Sequence, residues 1–296
     1  MWRPLRRRPR AVLAAGLAAV AGLLAACGSI AAAGHAPGPP ATGVGMAGQP
    51  MPGMTGDIPG KGLLATAAGL TLRPLTGSVP AGQVSAYRFQ IVRAGGSPLT
   101  RYQPGQARLL HFYLVRDDLS GFEHLHPALA ADDTWTVRVR PAQAGSYRVF
   151  TQFTGLPAGK PVSLVLSRPL TVTGPAAPQA PLPAPAATTR VAGYTLAITG
   201  RPQAGRDSAL AITVTCHGHA VTRLQPYLGA YAHLTAFHQG DLGFAHLHPS
   251  GPVRGGHGGP VLHFHAVLPE AGLYRLFVQF QAGGTLRTAQ VTLPAS

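Results

Sequence analysis

The chain contains the same unit twice. Displaced by 122 positions, residues 99–127 fall on 221–249 without a gap, pairing Thr100 with Thr222, Arg101 with Arg223, Gln103 with Gln225 and Pro104 with Pro226. The same displacement pairs His111 with His233, Gly121 with Gly243, Phe122 with Phe244, and all of His124-Leu125-His126-Pro127 with His246-Leu247-His248-Pro249. Further on, Gly145-Ser146-Tyr147-Arg148-Val149-Phe150 matches Gly272-Leu273-Tyr274-Arg275-Leu276-Phe277 at a displacement of 127, so the second copy holds five extra residues. They fit most economically in its Gly-rich loop, Arg254 to Pro260. Any fold proposed for this chain must therefore form twice from a unit of about 110 residues, within the usual size of one small domain.

Glycine (38 residues) and proline (29) interrupt the apolar runs too often for helices but suit strands joined by turns. The runs Val84–Val92, Leu109–Arg116, Thr134–Arg140, Ser146–Phe153 and Ser163–Val172 have the length and spacing of sandwich strands. The stretches Pro141 to Tyr147 and Pro269 to Tyr274 resemble the tyrosine corner that opens a late strand in immunoglobulin-like sandwiches. The expectation is all-β: two tandem Ig-like β-sandwich domains, 63–174 and 189–296, joined by a Pro/Ala linker, 175–188.

The start of the chain reads as an export leader. Arg3, Arg6, Arg7, Arg8 and Arg10 precede an apolar stretch from Ala11 to Ala26, too short to span a bilayer comfortably. Leu24-Ala25-Ala26-Cys27 resembles the lipobox of bacterial lipoproteins, which implies cleavage of residues 1–26 and lipidation of Cys27. Residues 27–62, rich in Ala, Gly and Pro with hardly any large apolar residues, then form a flexible tether. The expected location is the extracytoplasmic face of the cell membrane, held by a lipid anchor. Of 24 basic residues five belong to the leader, and the remaining 19 still outnumber 9 acidic ones. On an exported chain this excess suits anionic lipid or wall polymer; no basic run with interleaved aromatics points to nucleic acid. With Cys27 lipidated, Cys216 has no disulfide partner within the chain.

Strand periodicity turns the shared histidines into a geometric expectation. His124 and His126, two apart, share a face. A hairpin closing over Asp117–Ser120 pairs Arg116 with Gly121 and sets His111 opposite His126, with Cβ atoms roughly 5 Å apart. The second copy repeats this for His233, His246 and His248. Three neutral imidazoles with an open position suit copper or zinc, whereas calcium and magnesium prefer oxygen. No acidic residue is shared between copies here, since Glu123 becomes Ala245. Buried histidines that only satisfy backbone groups remain the other reading.

The second copy adds His263 and His265, where the first has Thr136 and Arg138. Cys216, His217 and His219 form a second candidate soft site at a strand end, against the alternative of a tolerated thiol in a hairpin. Apart from Met1 the methionines are Met46, Met51 and Met54, all in the tether, where thioethers add soft donors for Cu(I).

The run from His111 through His124-Leu125-His126-Pro127 to Tyr147, present in both copies, resembles the YtkA-like and CopC-like β-sandwich domains of exported bacterial proteins. The resemblance implies a sandwich outside the cytoplasm, often tied to copper handling. CopC-like copper sites use a mature N-terminal histidine, a position filled here by Cys27, so the internal histidines are the candidates. No catalytic triad, carboxylate pair, P-loop or dinucleotide fingerprint is shared by the copies, which points to a non-enzyme. Two functions fit: a surface-tethered copper-binding protein for sequestration or delivery, exchanging metal with a donor or acceptor protein, or an envelope adhesion or scaffold module with structural histidines.

Overall fold

The computed structural model describes residues 58–296, with the backbone alone for His246 and His248. The leader, Cys27, most of the tether and Met46, Met51 and Met54 lie outside the described residues. No helix among the described residues is long and apolar enough to cross a membrane.

Copy one contributes β1 (Thr66–Ala67), β2 (Leu70–Pro74), β3 (Ser78–Pro80), β4 (Ser85–Arg93), β5 (Tyr102–Gln103), β6 (Leu110–Arg116), β7 (Glu123–Leu125), β8 (Ala128–Leu129), β9 (Trp135–Val139), β10 (Gly145–Gly155) and β11 (Val162–Thr173). Copy two contributes β12 (Thr188–Val191), β13 (Tyr194–Thr199), β14 (Ser208–Cys216), β15 (His219–Ala220), β16 (Ala232–His238), β17 (Phe244–Pro249), β18 (Val261–Ala266), β19 (Gly272–Ala282) and β20 (Thr285–Ala295). Each copy is an Ig-like sandwich. In copy one a sheet ordered β1-β2-β4-β9-β8 packs on β3-β11-β10-β6-β7, with β5 added to β10. Copy two has the corresponding two sheets, but its longer β17 pairs with both β16 and β18 and so joins them.

β4, β6, β9, β10 and β11 fall within two residues of the five runs marked by apolar alternation in copy one. Both corner tyrosines close as expected: the Tyr147 hydroxyl donates to the Gln143 carbonyl (3.0 Å) and Tyr274 to that of Glu270 (3.1 Å). The glycines opening β10 and β19, Gly145 and Gly272, hold φ of 137° and 138°, and a Cβ on either would meet Arg116 or His238.

The hairpin register is the one expected for a loop over Asp117–Ser120. Phe112 pairs with Leu125, Tyr113 with His124 and Leu114 with Glu123; in copy two Leu234 pairs with Leu247 and Thr235 with His246. Along β6, Leu110, Phe112 and Leu114 point into the sandwich of copy one, yet all seven residues of the strand are buried. Its outer face is covered by copy two.

This covering forms a third apolar cluster between the copies, made of Tyr113, Val115, Leu119, Phe150 and Val165 from one and Phe237, Leu242, Phe244 and Phe277 from the other. Phe122 stacks on Phe277 (ring centroids 4.0 Å), and the equivalent pair with the copies exchanged, Phe244 on Phe150, also stacks (5.6 Å). The interface is thus approximately two-fold, as in an isologous dimer.

The lead-in to each copy lies on the other. The Arg116 guanidinium donates to Ala177 O and Pro178 O in the linker, and Ala180 N donates to Asp118. Correspondingly, Lys61 ahead of copy one pairs with Asp241 (2.5 Å) and Glu270 (2.9 Å) of copy two. Ile58, Leu63 and Leu182 pack on the interface cluster. The Pro/Ala stretch, expected to act as a spacer, is docked along copy one.

Candidate metal centre

Covering the outer face of β6 and β7 buries the histidines. His111 is 2% exposed, His124 8% and His233 2%. Ligand nitrogens of His111, His124 and His126 lie within 4.8 Å of one another, with no carboxylate or thiol in the group. His111 Nδ1 and His124 Nε2 are 3.1 Å apart, and the ring centroids of His126 are 5.1 Å from His111 and 4.9 Å from His124. His233, from copy two, has its ring 6.5 Å from that of His124.

The surrounding hydrogen bonds decide which nitrogens are bare. His111 Nε2 lies 3.1 Å from Gly105 O and His233 Nε2 lies 2.7 Å from Tyr227 O. A carbonyl only accepts, so both Nε2 atoms carry the proton and both Nδ1 atoms hold lone pairs. Gly105 and Tyr227 are equivalent positions in the two copies. His124 Nδ1 donates to Gln279 Oε1 across the interface (2.6 Å), while the Gln279 amide nitrogen donates to Thr288 (3.3 Å). In that orientation His124 Nε2 is bare as well and faces the bare Nδ1 of His111. His126 Nε2 and His233 Nδ1 are buried without a hydrogen-bond partner among the described residues.

All four rings are held neutral. Burial takes His111 down to about 3, against a raising hydrogen bond to Gly105, and takes His126 down to about 4, aided by the Arg108 charge. Burial likewise lowers His124 and His233. Neutral imidazoles whose second nitrogen donates to a carbonyl are the form in which histidine binds metals.

The backbone of His246 lies opposite Thr235 and that of His248 opposite His265. His263 and His265 alternate with buried Leu262, Phe264 and Ala266 and are exposed on the other sheet, His265 Nδ1 resting 3.0 Å from Asp207. Cys216 is buried in the apolar core of copy two, with His217 (φ 48°) turning the chain away and His219 exposed beyond it. Another cluster, His238, Asp241 and Glu270, already holds the Lys61 ammonium. Burial opposes ionisation of Asp241, yet hydrogen bonds from Lys61, Gly243 and His238 bring it to about 2.

Gly105, Tyr227 and Gln279 complete the centre without being metal-ligand residue types themselves. Gln279 did carry a signal, since Gln152 matches it in the other copy and each sits two residues after an outward phenylalanine, Phe150 or Phe277.

A family model described as "Domain of unknown function (DUF8832)" matches residues 65–162 and again 189–296. No curated protein matches the chain. Among solved structures it is similar to the Escherichia coli adhesin FdeC, at 14% identity over 78% of this chain and 65% of that one, TM-score 0.24. It is similar also to Yersinia pseudotuberculosis InvD (12%, 78% and 58%, TM-score 0.25) and to domains 5-6 of the S-layer protein SbsC (14%, 76% and 97%, TM-score 0.21). This chain spans less than two thirds of the FdeC and InvD chains.

Proposed function

This chain belongs to the DUF8832 family through both of its repeats, a premise that assigns no activity, and we propose from the site itself that it is a metal-binding module of the cell envelope. His111, His124 and His126 hold a copper ion, with zinc as the competing ion, for sequestration or for delivery to a partner protein. The lipid anchor at Cys27 keeps the module at the membrane. One observation carries the reading: three neutral imidazoles, those of His111 and His124 buried and that of His126 half-buried, offer bare nitrogens within 4.8 Å of one another, while the opposite nitrogens of His111 and His124 are engaged by Gly105 and Gln279. Two lone pairs 3.1 Å apart repel unless a cation lies between them. Titrating the purified protein with Cu(I), Cu(II) and Zn(II) tests this. Affinity is expected to collapse in a His124→Ala, His126→Ala double variant, and unchanged affinity there would refute the assignment.

The His124 to Gln279 bond across the repeats favours a second reading, a non-catalytic adhesion or scaffold module with structural histidines. Turning the Gln279 amide over lets its NH2 donate to His124 Nδ1, His124 Nε2–H to His111 Nδ1, and His111 Nε2–H to Gly105 O, a chain closed without an ion. Replacing the histidines would then lower stability equally with and without chelator.

A further inference from the structure

The charge around the histidines selects among ions. Placing an ion in a buried site costs free energy that grows with the square of its charge, and anionic ligands ordinarily offset that cost. Here the ligand group contains neither carboxylate nor thiolate. Tyr113 stacks on His124 (ring centroids 4.4 Å), but its hydroxyl is turned to donate to Gln152 Oε1 (2.8 Å), a bond that only the neutral phenol makes. The formal charge felt by both His111 and His126 is that of Arg108, a cation. Dications held by three imidazoles commonly keep a bound hydroxide, which needs water at the ion, and His111 and His124 are closed to it.

The second repeat also approaches the cluster, with His233 standing outside the 4.8 Å group. His233 is oriented as His111 is, Nε2–H on a backbone carbonyl and Nδ1 bare and buried, and its ring is 6.5 Å from that of His124. We infer that the centre takes one soft monovalent cation per chain, of the Cu(I) class, shared between the two repeats with His233 as the donor from the second. This rests on the metal-binding reading above and adds the charge of the ion, its stoichiometry and a ligand.

The test is an anaerobic competition titration of the purified protein at neutral pH with Cu(I), with Ag(I) as its redox-inert counterpart, and with Zn(II). One Cu(I) or Ag(I) per chain is expected, bound more tightly than Zn(II). His233→Asn is expected to weaken Cu(I) binding about ten-fold or more. Because that side chain is buried, an exposed variant supplies a second arm: Arg108→Gln is expected to strengthen Zn(II) binding about three-fold. Two Cu(I) per chain, Zn(II) preferred over Cu(I), a folded His233→Asn variant with unchanged affinity, or no response to Arg108→Gln would each overturn the inference while leaving a metal site in place. No binding of any ion would overturn the metal-binding reading itself.

Discussion

At the scale of single residues, the histidines make stability depend on pH with a definite sign. Each is neutral in the folded chain at pH values where an unfolded histidine, with its ordinary pKa near 6.5, is already charged. The unfolded state therefore binds more protons as pH falls from about 6.5 toward the folded values of about 4 for His126 and about 3 for His111, and stability is lost across that window. Each pH unit costs about 1.4 kcal/mol per histidine so affected. Urea titrations of the metal-free protein at pH 7 and pH 5 should show the midpoint falling at pH 5, and a flat profile would contradict the burial. Gln279 separates the two functional readings. Gln279→Glu can only accept from His124 Nδ1–H, which leaves Nε2 bare, so metal affinity is expected to be kept or raised, whereas Gln279→Leu loses about 10–100-fold. If the histidines are only structural, neither change has a metal affinity to alter.

Among the strands, most of the arrangement was legible. Side-chain direction alternates with a period of two, so fixing one pair in the β6–β7 hairpin fixes them all, and the four-residue loop expected over Asp117–Ser120 set the register. The tyrosine corners were legible because they are local. The docked lead-ins were not, because a Pro/Ala sequence carries no periodic signal and its partners, Arg116 and Asp118, are some 60 residues away. Lys61 tests the clasp ahead of copy one. Partly exposed ion pairs contribute on the order of 0.2–1 kcal/mol each, so Lys61→Met should barely change global stability. Amide exchange over residues 58–63 is nevertheless expected to quicken, since the opening of a short arm depends on few contacts. Unchanged exchange would mean that Ile58 and Leu63 hold the arm without the lysine.

For the molecule as a whole, the interface was the least legible feature, although its signal stood in the sequence. A sandwich strand with one solvated face alternates apolar and polar residues, yet Leu110 to Val115 is apolar on both faces apart from His111, a pattern that marks double burial without naming the covering partner. The partner is the other copy, so truncating a stacked ring, as in Phe277→Ala, is expected to cost about 3–5 kcal/mol. An isolated copy one, residues 63–174, would expose Tyr113, Val115, Phe122 and Phe150 together, a patch that favours self-association. The two-fold character of the contact gives that association a closed form, a homodimer measurable by light scattering. Within the chain, the Tyr113 hydroxyl lies against Thr235, its counterpart in the other repeat. A copy-one dimer would oppose two tyrosines there, an overpacked contact. Tyr113→Thr should accordingly tighten the copy-one dimer, and a monomeric fragment insensitive to this change would show that the repeats need their covalent link, not their shared surface, to pair.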